Sequence, residues 1–179
     1  MYYVIQVAAG QEDKVIEDIH RFNTNREESF DVFSPTRQTM RKYKGEFKPC
    51  IERCFPGYVF VETNNVQQLF RDLYWVPDFT KLLGRESKDS HLFVPLSNEE
   101  SRMVDILFGR ENDRTMGISD IEIEEGDVIR ILSGPLRDVE GKIVRKNLHK
   151  RKVTVEVCLL KRAFEIDVGV NIVARTKSG

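Results

Sequence analysis

The chain has 179 residues, three cysteines and a formal net charge of −1. Its length suits one domain or two small ones, and 40% hydrophobic with 32% charged residues is too apolar for a disordered chain. No apolar run approaches the ~20 residues that cross a bilayer, the start Met1-Tyr2-Tyr3-Val4-Ile5-Gln6 lacks the basic head of a signal peptide, and an odd, small cysteine number fits a reducing compartment, so a cytoplasmic protein with no membrane partner is expected.

Tyr2 to Val7 is a β-prone apolar run closed by Ala8-Ala9-Gly10. Val15, Ile16, Ile19 and Phe22 then recur at helical spacing, with Glu12 and Asp13 placed to suit the first turn. Ser29 to Phe33 reads as a strand stopped by Ser34-Pro35. Arg37 to Pro49 is polar and basic around Gly45 and reads as a long hairpin arm. Gly57 to Glu62 is strongly β-prone, Val66, Leu69, Phe70 and Leu73 form a second helical stripe, and Asp78 to Leu83 reads as a fourth strand. Ser97-Asn98-Glu99-Glu100 is a capping box that opens a last helix through Val104, Leu107 and Phe108. The order β-α-β-β-α-β predicts a ferredoxin-like antiparallel sheet with helices on one face.

Gly109 to Asp120 has two glycines and little apolar content, and reads as a linker. Beyond it the period shortens. Asp127 to Leu132, Gly141 to Arg145, Lys152 to Val157, Phe164 to Asp167 and Val170 to Val173 read as five short strands, with a hairpin tip at Asn147 to Lys150. Such spacing predicts a small five-stranded β-barrel. The expected fold class is therefore α+β, with one domain over residues 1–108, a linker over 109–120 and a second domain over 121–179.

Net charge divides unevenly along these boundaries: −3 over residues 1–108, −1 over 109–120 and +3 over 121–179. Lys142, Arg145, Lys146, Lys150, Arg151 and Lys152 stand close together with His149 and no acid between Gly141 and Lys152. Arg37, Arg41, Lys42, Lys44, Lys48 and Arg53 form a second basic stretch, diluted only by Glu46 and Glu52. Fields act over about 8 Å in physiological salt, so a polyanion meets these patches and not the total. A charge run is also what an ordinary solvated face looks like.

The sequence contains no glycine-rich phosphate loop, no His-Glu-x-x-His and no Gly-x-Ser-x-Gly. His20, His91 and His149 lie far apart in sequence, and Cys50 and Cys54 have no second ligand pair, so ordinary thiols suit them better than zinc. No enzyme activity, cofactor or metal is expected.

Two segments together carry a family resemblance. Asp127 to Val144, with Gly134-Pro135 turning between strands and Gly141 opening the next, is similar to the KOW motif. Phe55-Pro56-Gly57-Tyr58-Val59-Phe60-Val61 and the opening Tyr2 to Glu12 resemble the NGN domain of NusG-type transcription factors, with Trp75-Val76-Pro77 and Val94-Pro95-Leu96-Ser97 in the same order. The resemblance spans Tyr2 to Val173. It implies that the first domain docks on the clamp helices of the largest RNA polymerase subunit and suppresses pausing, with Tyr3, Phe55, Tyr58 and Phe60 matching the region that supplies the apolar contact. The same aromatics suit a core beneath a helix. It also implies that the arm residues Arg41, Lys42, Lys44 and Lys48 reach nucleic acid, including DNA near the upstream fork.

The chain departs from general NusG factors in three places. It opens Tyr2-Tyr3 where they commonly open Trp-Tyr, has Val139 where they have an aromatic, and reads Cys158-Leu159-Leu160 where their loop often reads Phe-Gly-Arg. That loop region helps meet the termination factor Rho or a small-subunit ribosomal protein, so its change puts both partners in doubt. The pattern resembles specialised antiterminating paralogues of the LoaP type, which recognise an RNA hairpin in a nascent leader. The resemblance thus implies a monomer whose residues Lys142, Arg145, Lys146, His149, Lys150, Arg151 and Lys152 contact RNA. A general elongation factor, and a structural ribosome-associated KOW protein, remain the alternatives.

Overall fold

The computed structural model describes residues 1–23, 30–77, 80–84 and 93–175. Ser29 and Asp78, expected at the heads of two strands, and His91 lie outside them. The elements in chain order are β1 (Tyr2–Val7), α1 (Glu12–Asn23), β2 (Asp31–Phe33), β3 (Thr36–Tyr43), β4 (Glu46–Arg53), β5 (Tyr58–Glu62), α2 (Val66–Asp72), β6 (Thr80–Leu82), α3 (Asn98–Leu107), β7 (Thr115–Met116), β8 (Ser119–Glu124), β9 (Val128–Ser133), β10 (Ile143–Asn147), β11 (Lys152–Leu159) and β12 (Arg162–Arg175). They fall into two units: Met1–Pro35 with Phe55–Met103, and Thr36–Cys54 with Val104–Gly179.

The first unit is built on a four-stranded sheet in the order β2-β5-β1-β6, every neighbouring pair antiparallel. That is the expected split-βαβ arrangement. Alternation along β1 sends Tyr3, Ile5 and Val7 into one core with Val15 and Ile19 of α1, Leu69 of α2, and Val59 and Val61 of β5. Each fully buried side chain of this kind is worth about 1.5–3 kcal/mol. Glu12, at the start of α1, is fully buried; its carboxylate accepts from the backbone N–H of Gly57 at 2.6 Å and of Gly10 at 2.9 Å. The Phe-Pro-Gly corner before β5 is thereby tied to the helix N-terminus, where a negative charge also suits the helix dipole. The capping box forms as expected, Glu100 N–H donating to Ser97 Oγ at 3.2 Å and Ser97 N–H to Glu100 Oε2 at 2.8 Å.

In the second unit β3 and β4 form the long hairpin, in full register from Thr36↔Arg53 to Tyr43↔Glu46, closed by Lys44-Gly45. β7 adds to β3 in parallel. The stretch expected as a linker carries a 3-10 turn over Arg110–Asn112, then β7 and the start of β8. It is bonded to the arm: Thr36 N–H donates to the carbonyl of Arg114 at 3.1 Å, and the Thr36 and Thr115 hydroxyls lie 2.8 Å apart.

The remaining five strands form one sheet in the order β10-β11-β12-β8-β9. The two strands expected at Phe164–Asp167 and Val170–Val173 are a single 14-residue strand, β12. Its first part pairs antiparallel with β11, from Leu159↔Arg162 to Lys152↔Gly169, and its second part pairs parallel with β8 from Val170↔Ser119. The two partners follow one another along one strand, which is why the apolar pattern alone looked interrupted. Val153, Val155, Val157, Ile166, Val168 and Val170 are buried with Ile121 and Leu136. Gly134 of the Gly-Pro turn has φ +89°, and a Cβ there would lie 2.7 Å from Ser119 Cα. The turn therefore needs glycine twice over, for its backbone and for its space. Ser119 Oγ then accepts from Leu136 N–H at 3.0 Å, holding the motif onto β8.

Candidate nucleic-acid interface

The expected RNA-binding residues lie on β10, β11 and the turn between them, except Lys142, which ends the 3-10 turn Glu140–Lys142 just before β10. Leu148–Lys150 is a 3-10 turn, with the Asn147 side chain accepting from Lys150 N–H at 3.1 Å and Arg151 left-handed at φ +50° as it leaves. Lys142, Arg145, Lys146, His149 and Lys150 are exposed; Arg151 and Lys152 are half-buried.

The structure sorts these residues by partner. Among the described residues no carboxylate pairs with Lys142, Lys146 or Lys150. Arg145 donates to Glu165 at 2.6 Å, but both ends are more than half exposed, and such surface pairs are worth about 0–1 kcal/mol. It can exchange Glu165 for a phosphate at little cost. Lys152 and Thr154 both donate to Asp167. Burial alone would raise the Asp167 pKa, but those two hydrogen bonds, with the charges of Lys152 and Arg37, outweigh it and hold the carboxyl below its ordinary value. Arg151 is the most committed. Its guanidinium lies 4.8 Å from the centroid of the Phe47 ring, and it donates to Asn171 Oδ1 at 3.4 Å. Asn171 in turn donates to Asp120, which also accepts from Ser133, and these bonds lower the Asp120 pKa.

Of the arm residues, Arg41 pairs with Glu52 at 2.9 Å, and Arg37 reaches the same carboxylate at 3.3 Å. Lys42, Lys44 and Lys48 are exposed, and the ammonium groups of Lys44 and Lys48 lie 5.5 and 5.7 Å from the Tyr43 ring centroid. The sequence did not reveal that the arm packs along β12. A Cβ at Gly169 would stand 2.6 Å from the Gln38 carbonyl oxygen and 3.0 Å from Thr39 Cα, so only glycine admits this approach. Arm and turn consequently share the walls of two concavities. One, of about 450 Å³, is lined by Arg41, Lys42, Phe47, His149, Lys150 and Lys152 among others. The other, of about 490 Å³, again has Lys42, Phe47 and His149, now with Arg151 and Arg175. Phe47 was not among the expected contact residues; with Met40 and Tyr43 it is one of three large apolar or aromatic side chains in an otherwise polar, basic arm.

The four aromatics expected at the polymerase contact are divided between two faces of the first unit's sheet. Tyr3 lies in the core beneath the helices. Phe55 and Phe60, both buried, join Tyr2 and Phe33 on the opposite face, with centroid separations of 5.5 Å for Phe55–Phe60 and 5.7 Å for Phe33–Phe60. Tyr58 is on that face too and is half-buried. Among the described residues no group of three or more His, Cys, Asp or Glu could hold a metal ion, and no helix is long and apolar enough to cross a membrane.

A split-βαβ unit followed by a Gly-Pro-turned β-sheet module defines a two-domain, NGN-plus-KOW transcription factor. Residues 1–105 match the family model described as transcription termination factor NusG, and residues 125–157 match the KOW motif. The chain belongs to the NusG family of transcription termination/antitermination factors. It is similar to the transcription termination/antitermination protein NusG of Streptococcus pyogenes serotype M1, 26% identical over 93% of this chain and 92% of the relative. It is also similar to the protein of that name from Staphylococcus aureus strain N315, 29% identical over 93% of this chain and 91% of the relative.

Proposed function

We propose that this chain is a specialised antitermination factor of the cytoplasm. In this reading it docks on the RNA polymerase clamp helices through its first unit, suppresses pausing or termination, and contacts a structured nascent RNA through the β10–β11 hairpin. The observation that carries the RNA reading is the set of three exposed lysines, Lys142, Lys146 and Lys150, with no carboxylate partner among the described residues. Neutralising phosphates with such charges releases counterions and supplies salt-sensitive affinity. The changed loop supports a specialist over a general factor. Where Phe-Gly-Arg would stand, β11 ends at a buried Leu159, and Leu160 and Lys161, both left-handed, turn directly into β12. In this reading Tyr58, the half-buried aromatic of its face, makes the polymerase contact.

Affinity capture from cells, reading polymerase and RNA together, tests this. The wild-type chain should recover both. Tyr58→Ala should lose polymerase and keep RNA, and replacing the three lysines with Ala should do the reverse. Recovery of Rho or of ribosomal subunits in place of a specific RNA would assign a general or ribosome-associated factor instead.

A further inference from the structure

We infer that the RNA site is composite: the β3–β4 arm supplies its second wall, with Lys42 as the arm's phosphate-binding residue and the backbone of an RNA duplex as the ligand. This rests on the RNA reading of the β10–β11 hairpin and extends it to residues nearly a hundred positions earlier in the chain.

Lys42 carries the argument because it lines both concavities, each time together with Phe47 and His149. It is exposed, and among the described residues no carboxylate pairs with it. The acids nearest the site are already engaged. Glu52 receives Arg37 and Arg41, and Asp167 receives Lys152 and Thr154. The cations left facing a ligand include Lys42 on the arm in both concavities, Lys150 on the turn in the first and Arg175 in the second. The arm is fixed in this place, not swinging freely. Lys42 pairs in register with Phe47 across the hairpin, Phe47 stacks on Arg151, and β12 meets β3 at Gly169. Arg151 thus acts as a positioning residue whose planar guanidinium holds the arm against the turn, a role lysine cannot fill.

The same stack selects the ligand. Single strands are held by open aromatic platforms on which bases stack. Of the rings that line these concavities, Phe47 is occupied by the Arg151 guanidinium, which leaves the small imidazole of His149 as the open one among the described residues. What remains is a set of cationic donors on two walls, suited to the phosphates and 2′-hydroxyls of an A-form helix, which is read by shape.

Fluorescence anisotropy with the full chain tests this, using a labelled RNA hairpin and an unpaired RNA of equal length. Lys42→Glu should weaken hairpin binding on the order of tenfold, and Lys42→Ala should reduce the salt slope by about one. Far-UV spectra should be unchanged, since Lys42 is exposed. Replacing Lys142, Lys146 and Lys150 with Ala serves as the reference. If that variant loses affinity while Lys42→Glu binds like wild type, the composite site is overturned and the hairpin site stands. If neither variant loses affinity, the RNA reading fails and takes this inference with it. Unpaired RNA bound as tightly as the hairpin would overturn the duplex assignment.

Discussion

Cys54 sits at the inner end of the arm, buried, and desolvation pushes its thiol up to about 12 against the lowering influence of the Arg37 charge and hydrogen bond. An unfolded cysteine titrates near the reference value of 9.0. Between those values the folded state holds a proton that the unfolded state has lost. Stability is therefore complete below about pH 9 and declines as pH rises through the window. Burial of Tyr3 raises its pKa and acts in the same direction above pH 10. Cys54→Ala should flatten the alkaline decline in urea-unfolding midpoints between pH 9 and 11; an unchanged slope would contradict the assignment. Pairings of single residues are also hidden in a sequence. The partners of Arg145, Arg151 and Lys152 are Glu165, Asn171 and Asp167, each 15 to 20 positions away. A run of like charge does not disclose which of its members are already paired across a sheet.

At the scale of elements, the parts that local chemistry decides were legible. The capping box at Ser97 and Glu100 is specified within four residues and forms as expected. Ser97→Ala leaves Glu100 N–H without its side-chain acceptor and should cost about 1 kcal/mol, read as a lower urea midpoint; an unchanged midpoint would show the cap to be energetically idle. Elements whose identity depends on neighbours were less legible. Tyr58 and Phe60 lie on one side of β5, as alternation alone dictates. Tyr3 lies on the other side of the same sheet, since it opposes Val61 and not Phe60. That register is a pairing fact that no segment carries alone. The continuity of β12 was hidden for a like reason: it changes partner from β11 to β8 between Gly169 and Val170.

For the whole chain, a net charge of −1 conceals a division of labour. The first unit is organised around apolar and aromatic packing. The second gathers two basic stretches, distant in sequence, onto shared concavities. The charge runs were visible in the sequence, but their convergence was not, because it depends on Gly169 admitting the arm to the surface of β12. In the proposed function, phosphate neutralisation by the β10–β11 hairpin supplies the RNA affinity. Its most direct test is the salt dependence of RNA-hairpin binding by the full chain, compared with the variant carrying Ala at Lys142, Lys146 and Lys150. The expected result is weaker binding with the log–log salt slope flattened by roughly two to three, about one per lysine removed. Equal affinity and an equal slope for both proteins would contradict it.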